Sequence, residues 1–161
     1  MTRSLAVEQS RVIPVGVDEA FAGTLPLPLT TIFSHWYGPI GPIKEVRDQI
    51  GDWDAAGQTR VVMLTPSGSF HEELTSLDPP HSFGYTLTRI NGPLGLLIGR
   101  ADGEWRFTAS GGGTEVTWRW NIHARSAFTA PLLPALGVLW KGYARRSLET
   151  LSKILYVCRF G

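Results

Sequence analysis

The segment SFHEELTSLDPP, residues 69–80, places two glutamates and a histidine inside a pattern that otherwise alternates like a strand. Neighbouring side chains of a strand point to opposite faces, so Glu72 lies on the same face as Phe70 and Leu74. Glu73 points to the other face and is expected to meet water. A carboxyl group among apolar side chains can serve as a general acid or base, or as the polar contact of a pocket.

Two other interpretations of Glu72 stay open at this point. It can be a structural acid that pairs with an arginine, such as Arg60 or Arg47, or it can lie at a solvated edge of the sheet. If the face is catalytic, Tyr85 is the expected hydrogen-bond donor to the substrate. Glu72 and Tyr85 are therefore the candidate catalytic residues.

The other reactive residues fit structural roles better than catalytic ones. No serine stands in a GxSxG sequence, and the PSGS and SGGG segments are typical of hairpin turns. Cys158, near the end of a helical pattern, is expected to be an inert packed thiol. Neither a metal nor a cofactor is expected, because the histidines lack HExxH, HxH or similar metal-ligand spacing. These histidines are His35, His71, His81 and His123.

The composition is typical of one intracellular domain. A chain of 161 residues can bury its own core, so residues 1–161 are expected to form a single domain. The net charge of +1, without a basic stripe, argues against nucleic acid as a partner. The single cysteine excludes an internal disulfide, and no signal-peptide pattern is visible. Residues 127–140, the most apolar stretch, are too short to span a bilayer, so we expect a cytoplasmic protein without stable membrane insertion.

Alternation of apolar and polar residues, interrupted by turn residues, predicts about seven strands. A first strand at 4–15 is followed by two short helices, the second of them at 29–36. Six strands then follow, separated by turns rich in Gly, Pro, Asp and Asn. Their predicted bounds are 43–50, 58–65, 69–77, 81–90, 100–109 and 114–123.

After Arg125 the apolar residues recur at steps of three and four, which predicts one amphipathic helix of about 28 residues. An apolar stripe must be buried on another element, and the sheet is the available partner. The expected fold is therefore α+β, an antiparallel sheet packed on a long C-terminal helix. The predicted stripe consists of Leu132, Leu136, Trp140, Tyr143, Ser147, Leu151, Ile154 and Cys158.

The apolar faces of three predicted strands are rich in aromatic side chains. They belong either to the core alone or to the wall of a binding pocket. These faces are Phe83, Tyr85 and Leu87, then Trp105 and Phe107, then Val116, Trp118, Trp120 and Ile122.

Three stretches carry a resemblance to a known superfamily. They are GQTRVVML (57–64), EELTSLDPPHSFGYTL (72–87) and GGTEVTWRWNI (112–122). With the order of elements, they resemble the helix-grip fold of the START-like or SRPBCC superfamily. The chain looks most like the polyketide cyclase/dehydrase branch, and it is similar to birch-pollen-allergen-type proteins and to plant abscisic-acid receptors.

The resemblance implies a seven-stranded curved sheet wrapped around the long helix, with an apolar cavity between them that loops gate. It implies a hydrophobic ligand such as a lipid, polyketide, isoprenoid or aromatic metabolite. In the receptors a cavity glutamate stands on the matching strand, which places Glu72 in the pocket. The receptors' gate-loop sequences are absent, so a hormone-receptor role does not carry over. The expected ligand-binding residues are Phe70, Glu72, Leu74, Tyr85, Leu87, Trp105, Phe107, Trp118, Trp120, Leu136, Trp140, Tyr143 and Ser147.

Two further features bear on the expected pocket. The apolar segment NGPLGLLIG, residues 91–99, is either a lid, through Leu94, Leu96 and Leu97, or an extension of the strand that follows. Ser147 is the small polar residue in the middle of the helix stripe. It is expected to lie over the cavity, unless a tryptophan of the sheet fills the gap.

Three functions are compatible with these patterns. The first is a binding or carrier protein for a hydrophobic small molecule, as a monomer or homodimer. The second is a polyketide cyclase, aromatase or dehydratase with Glu72 as general acid or base. The third is a protein-interaction module whose apolar loop, or the APLLPALG segment, docks a partner. A single acid and one tyrosine among many tryptophans favour binding over catalysis.

Overall fold

The computed structural model describes residues 3–160 as a seven-stranded antiparallel sheet, a long C-terminal helix and short helices between them. The strand order in the sheet is β1-β7-β6-β5-β4-β3-β2. The strands are β1 (Ser4–Ile13), β2 (Ile43–Arg47), β3 (Thr59–Leu64), β4 (Ser69–Asp78), β5 (Ser82–Asn91), β6 (Ile98–Ser110) and β7 (Gly113–Ala124). The helices are α1 (Val17–Thr24), α2 (Leu29–Ile32), α3 (Pro93–Leu97) and α4 (Leu133–Phe160), the last preceded by a 3₁₀ turn at Ala130–Leu132. The predicted α+β helix-grip fold is confirmed.

Burial alternates along the strands because one face of the sheet packs inward. In β7, Val116 and Trp118 are buried, whereas Glu115 and Arg119 are exposed. Trp118 lies directly opposite Trp105 of β6, and the two indoles stack with centroids 5.2 Å apart. A slip of one residue would expose these rings, so the buried face fixes the register of the pair.

The long helix has the predicted length of 28 residues, but its buried face differs from the predicted stripe. Leu132 and Cys158, the two ends of that stripe, are exposed, so the prediction of a packed thiol is wrong. Leu132 lies in the 3₁₀ turn before α4. Cys158 is about five turns from the buried Trp140 and on the same side of the helix, but residues 156–158 at the end of α4 are all exposed. The face that packs inward contains Leu133, Trp140, Ala144, Ser147, Leu148, Leu151 and Leu155.

The segment at 91–99 forms a short helix that the strand pattern did not predict. Gly92, at φ 83°, makes the turn, and α3 follows it before β6 begins. Arg125, just after β7, donates to the carbonyl oxygens of Gly95 and, at 3.3 Å, of Ile90. These bonds fasten α3 to the end of the sheet. Within residues 3–160, no helix is long and apolar enough to cross a membrane.

Candidate ligand-binding pocket

A pocket of about 290 Å³ lies between the inner face of the sheet and α4. Its volume is close to the lower end of the ~300–1,000 Å³ range of small-molecule sites, so it has room for one small ligand. Most of its wall is apolar or aromatic. The expected ligand-binding residues that line it are Phe70, Glu72, Tyr85, Leu87, Trp105, Trp118, Trp120, Leu136, Trp140 and Tyr143, and two expected lid residues, Leu94 and Leu97, line it too.

The structure places four of the expected residues away from the pocket wall. Leu74 and Phe107 are fully packed in the core, and Leu96 is 71% exposed on the outer side of α3. Ser147 is buried, but its hydroxyl donates to the Tyr143 carbonyl oxygen at 2.9 Å within the helix. The pocket therefore does not extend along α4 as far as Ser147.

Residues 24–43, between the end of α1 and the start of β2, supply much of the remaining wall, and the sequence pattern did not predict this. Leu25, Leu27 and Leu29 line the pocket, as does Phe33, whose ring packs on Trp118 with centroids 5.0 Å apart. The signal available was the alternation LPLPL, which is apolar yet unsuited to a regular helix. The leucines of such a segment are buried only if they pack against other apolar side chains.

Glu72 is held by an ion pair inside the pocket wall. Arg60 on β3 stands directly opposite Glu72 on β4, and its Nε and Nη2 donate to Glu72 Oε1 at 2.8 and 2.5 Å. The two side chains are only 9% and 6% exposed, so the solvated-edge interpretation is wrong. Arg47, the other candidate partner, pairs with Glu45 on the surface. Glu72 thus lines the pocket and is a member of a buried pair.

Trp53 covers the other side of the Arg60 guanidinium. The Arg60 Cζ atom lies 3.8 Å from the centroid of the Trp53 ring, an arrangement that favours a desolvated cation. Trp53 is buried and has φ 59°, a left-handed conformation that costs a non-glycine residue about 1–3 kcal/mol. The loop between β2 and β3 therefore bends inward to put this ring on the pocket wall. The loop sequence has no periodic pattern from which the position of Trp53 could be predicted.

Two acidic side chains of the pocket, Glu72 and Tyr85, have raised pKa values. Burial raises the pKa of Glu72 above its ordinary value, although the charge and hydrogen bonds of Arg60 act against this. Burial also raises the pKa of Tyr85, and the nearby Glu72 charge adds to the increase. Hydrogen bonds from Trp118 and Trp120 lower it without offsetting the burial. Tyr85 therefore keeps its proton at neutral pH.

The Tyr85 ring lies flat across the neighbouring strand. It stands opposite Gly103 of β6, where a Cβ atom would overlap the phenol ring. The indole nitrogens of Trp118 and Trp120 donate to its hydroxyl oxygen at 2.7 and 2.8 Å. One tyrosine and two tryptophans from β5 and β7 thus form a rigid, hydrogen-bonded group in the aromatic wall.

A family model matches nearly the whole chain. The family model described as polyketide cyclase / dehydrase and lipid transport matches residues 4–155. The chain belongs to this family. A comparison with curated proteins finds no match.

Three solved structures share this fold over nearly the whole length of the chain. Norcoclaurine synthase from Thalictrum flavum, a point mutant in complex with a transition-state analogue, has a TM-score of 0.71 at 14% identity, covering 99% of this chain and 98% of its own. TTHA0849 from Thermus thermophilus has a TM-score of 0.73 at 15% identity, with 96% and 99% covered. Ara h 8.0201 has a TM-score of 0.66 at 12% identity, with 96% and 99% covered. At identities this low, the structural similarity shows that the fold is shared.

In this polyketide cyclase/dehydrase-family chain, three loops meet at one end of the pocket. They are the segment before β2, the turn between β3 and β4, and the start of α3. A Cβ atom on Gly41 would lie 2.7 Å from the Thr65 carbonyl oxygen, and one on Gly92 would lie 2.7 Å from the Gly68 Cα. Glycine is needed where these backbones approach so closely. Among residues 3–160, no group of three or more His, Cys, Asp or Glu side chains is arranged to hold a metal ion.

Proposed function

We propose that this chain binds one small hydrophobic molecule in the pocket between its sheet and α4, as a binding or carrier protein. The observation that carries this proposal is an apolar, aromatic-walled space of about 290 Å³ between the sheet and α4. Protein interiors normally leave few voids larger than a water molecule, and an apolar space has no affinity for water. A ligand with apolar surface fills it with a favourable transfer free energy. Membership of a family described by lipid transport supports the same proposal.

Native mass spectrometry of the protein as purified tests this proposal. We expect a bound species whose additional mass is released when the same sample is measured under denaturing conditions. If the purified protein is empty, adding a fatty acid or a flat polyphenol should produce a complex with one ligand per chain. A protein that is empty as purified and forms no complex with any apolar compound would contradict the proposal.

A second candidate function is acid–base catalysis on a bound polyketide-like molecule. The observation that favours it is that Glu72 and Tyr85 line the same pocket and that the Glu72 charge acts on Tyr85. Glu72 would remove a proton next to a carbonyl group, and Tyr85 would donate a hydrogen bond to the resulting enolate oxygen. In deuterated buffer, a bound diketone should then exchange that proton faster than in buffer alone. Exchange at the solvent rate, or unchanged exchange in Glu72→Gln, would contradict catalysis and leave binding intact.

A further inference from the structure

The Tyr85 hydroxyl has one hydrogen-bonding capacity that the protein does not use. A phenol oxygen accepts two hydrogen bonds and donates one. The two indole N–H groups of Trp118 and Trp120 fill both acceptor positions, at 2.7 and 2.8 Å. Among residues 3–160, no group accepts the Tyr85 proton. The hydroxyl proton is therefore free to bond with a molecule in the pocket, whose wall includes Tyr85.

The position of this donor is fixed before any ligand arrives. The Tyr85 ring rests on Gly103, and the Trp118 ring is stacked on Trp105 at a centroid distance of 5.2 Å and contacts the tilted ring of Trp140 at 4.8 Å. Two hydrogen bonds into the oxygen also polarise its O–H group and strengthen it as a donor. A donor held in place loses little conformational entropy when a ligand binds to it.

A second donor in the same cluster also has no partner. Trp140 is 4% exposed, and its Nε1 atom donates to no described residue. Its ring contacts Trp118 and Trp120, the two tryptophans that donate to Tyr85. A buried donor without an acceptor costs about 1–3 kcal/mol. Two donors of this aromatic cluster, the Tyr85 hydroxyl and the Trp140 indole N–H, therefore have no acceptor among the described residues.

The charges of the pocket argue for a neutral ligand. Arg60, the cation among the described lining residues, already donates to Glu72 through Nε and Nη2. An anionic ligand would have to compete with the Glu72 carboxylate for it, inside a site of low dielectric. The burial of Tyr85 also favours its neutral, proton-bearing form.

We propose that the pocket selects a neutral apolar molecule that carries a carbonyl oxygen, such as a ketone, aldehyde or ester, and that this oxygen accepts the Tyr85 proton. The proposal rests on the ligand-binding function proposed above. It specifies the polar group of the ligand and the side chain that recognises it.

A pair of fluorescent probes tests the proposal. One is a dimethylaminonaphthalene with a propionyl group, and the other is its propyl analogue, in which a methylene group replaces the carbonyl. We expect the ketone bound to wild type to emit at a longer wavelength than in dry alkane, because a hydrogen bond to its carbonyl shifts the emission. In Tyr85→Phe, the ratio of ketone affinity to hydrocarbon affinity should fall roughly tenfold, the value of one hydrogen bond.

Tyr143→Phe is the matched control variant. It removes a hydroxyl from the same pocket wall, but that hydroxyl already donates to the Gly41 carbonyl oxygen at 3.5 Å. Affinities for the two probes should change together, so their ratio stays constant. If Tyr85→Phe does not fold, because two indole donors lose their acceptor, the emission of the ketone in wild type decides the question.

The outcomes separate the two proposals. Binding of both probes with an alkane-like ketone emission, and an affinity ratio that Tyr85→Phe leaves unchanged, overturns the carbonyl proposal and leaves apolar binding intact. Failure of both probes to bind overturns the carbonyl proposal, and it contradicts the binding function as well when the fatty acid and the polyphenol also fail to bind. A longer-wavelength ketone emission, with a ratio that falls only in Tyr85→Phe, supports both.

Discussion

Replacing Arg60 by methionine leaves the Glu72 carboxyl group in the pocket wall without its charged partner. Both side chains are more than nine-tenths buried, so solvent screens their interaction only weakly. Removing one member of a buried ion pair costs about 3–5 kcal/mol, because the remaining charge is stranded. For a chain of this size, we expect Arg60→Met to lower the melting temperature by about 6–20 °C at neutral pH.

The cost should depend on pH, with a sign that follows from the Glu72 pKa. Burial raises that pKa from its ordinary value of 4.5, and Arg60 is the group that opposes the rise. In Arg60→Met the folded-state pKa is therefore higher still. A carboxyl group whose folded pKa exceeds its unfolded pKa loses stability as pH rises through that interval. The variant should be nearly as stable as wild type below pH 4.5, and its free energy of unfolding should then fall by up to about 1.4 kcal/mol per pH unit until the folded pKa is passed.

Urea denaturation at low and neutral pH, followed by tryptophan fluorescence, measures this effect. The double variant Arg60→Met with Glu72→Leu removes both charges and should recover most of the lost stability, since apolar replacements of buried pairs are often neutral or stabilising. Contact of Arg60 with Trp53 is lost in the single and the double variant alike, so the comparison cancels it. Arg47→Met is the control, because Arg47 pairs with Glu45 at the surface and should not matter measurably. An equal cost at both pH values, without recovery in the double variant, would refute a buried, pKa-shifted Glu72.

Two further substitutions test packing near the pocket. Gly103→Ala should lower the free energy of unfolding by about 1–3 kcal/mol, because the new Cβ atom meets the Tyr85 ring. Gly112→Ala, where a Cβ atom meets nothing within 4 Å, should stay within ~0.5 kcal/mol of wild type, and equal effects would contradict this packing. Ser147→Leu should cost about 1–3 kcal/mol through overpacking, since Ser147 is buried away from the pocket. A variant as stable as wild type in a thermal melt would place Ser147 at a void after all.

The sheet and the long helix could be predicted because burial on one face imposes a period on the sequence. In β7, each outward residue such as Arg119 separates two inward ones such as Trp118 and Trp120. This alternation can be read from the sequence of one strand, without knowing which residues pair with it. The length of the helix could be predicted, but not which residues at its ends are buried. Leu132 falls in the 3₁₀ turn before α4, and Cys158, about five turns after the buried Trp140 and on the same side of the helix, lies beyond the last buried residue, Leu155. The period predicts which side of a helix packs inward but not how far along its length the packing extends.

The pocket could be predicted only where it is built from regular strands. Glu72, Tyr85 and Trp118 follow from alternation, whereas Phe33 and Trp53 come from irregular segments whose side-chain directions depend on tertiary contacts. The sequence alone left Arg60 and Arg47 both open as partners of Glu72. The structure pairs β3 and β4 positions whose numbers sum to 132, which puts Arg60 opposite Glu72. A symmetric hairpin around the PSGS turn would pair numbers that sum to 135, so this register depends on the fold and not on the turn sequence.

The binding of an apolar probe to wild type, compared with one variant that fills the pocket, tests the proposed function most directly. Leu136 lines the pocket, so Leu136→Trp should occupy part of the space of about 290 Å³. Leu132→Trp, one helical turn earlier, adds the same side chain at an exposed position and serves as the control. In calorimetric titrations, we expect one probe molecule per chain in wild type and in Leu132→Trp, and binding at least tenfold weaker in Leu136→Trp. No binding to wild type, or equal binding to all three proteins, would contradict a ligand site between the sheet and α4.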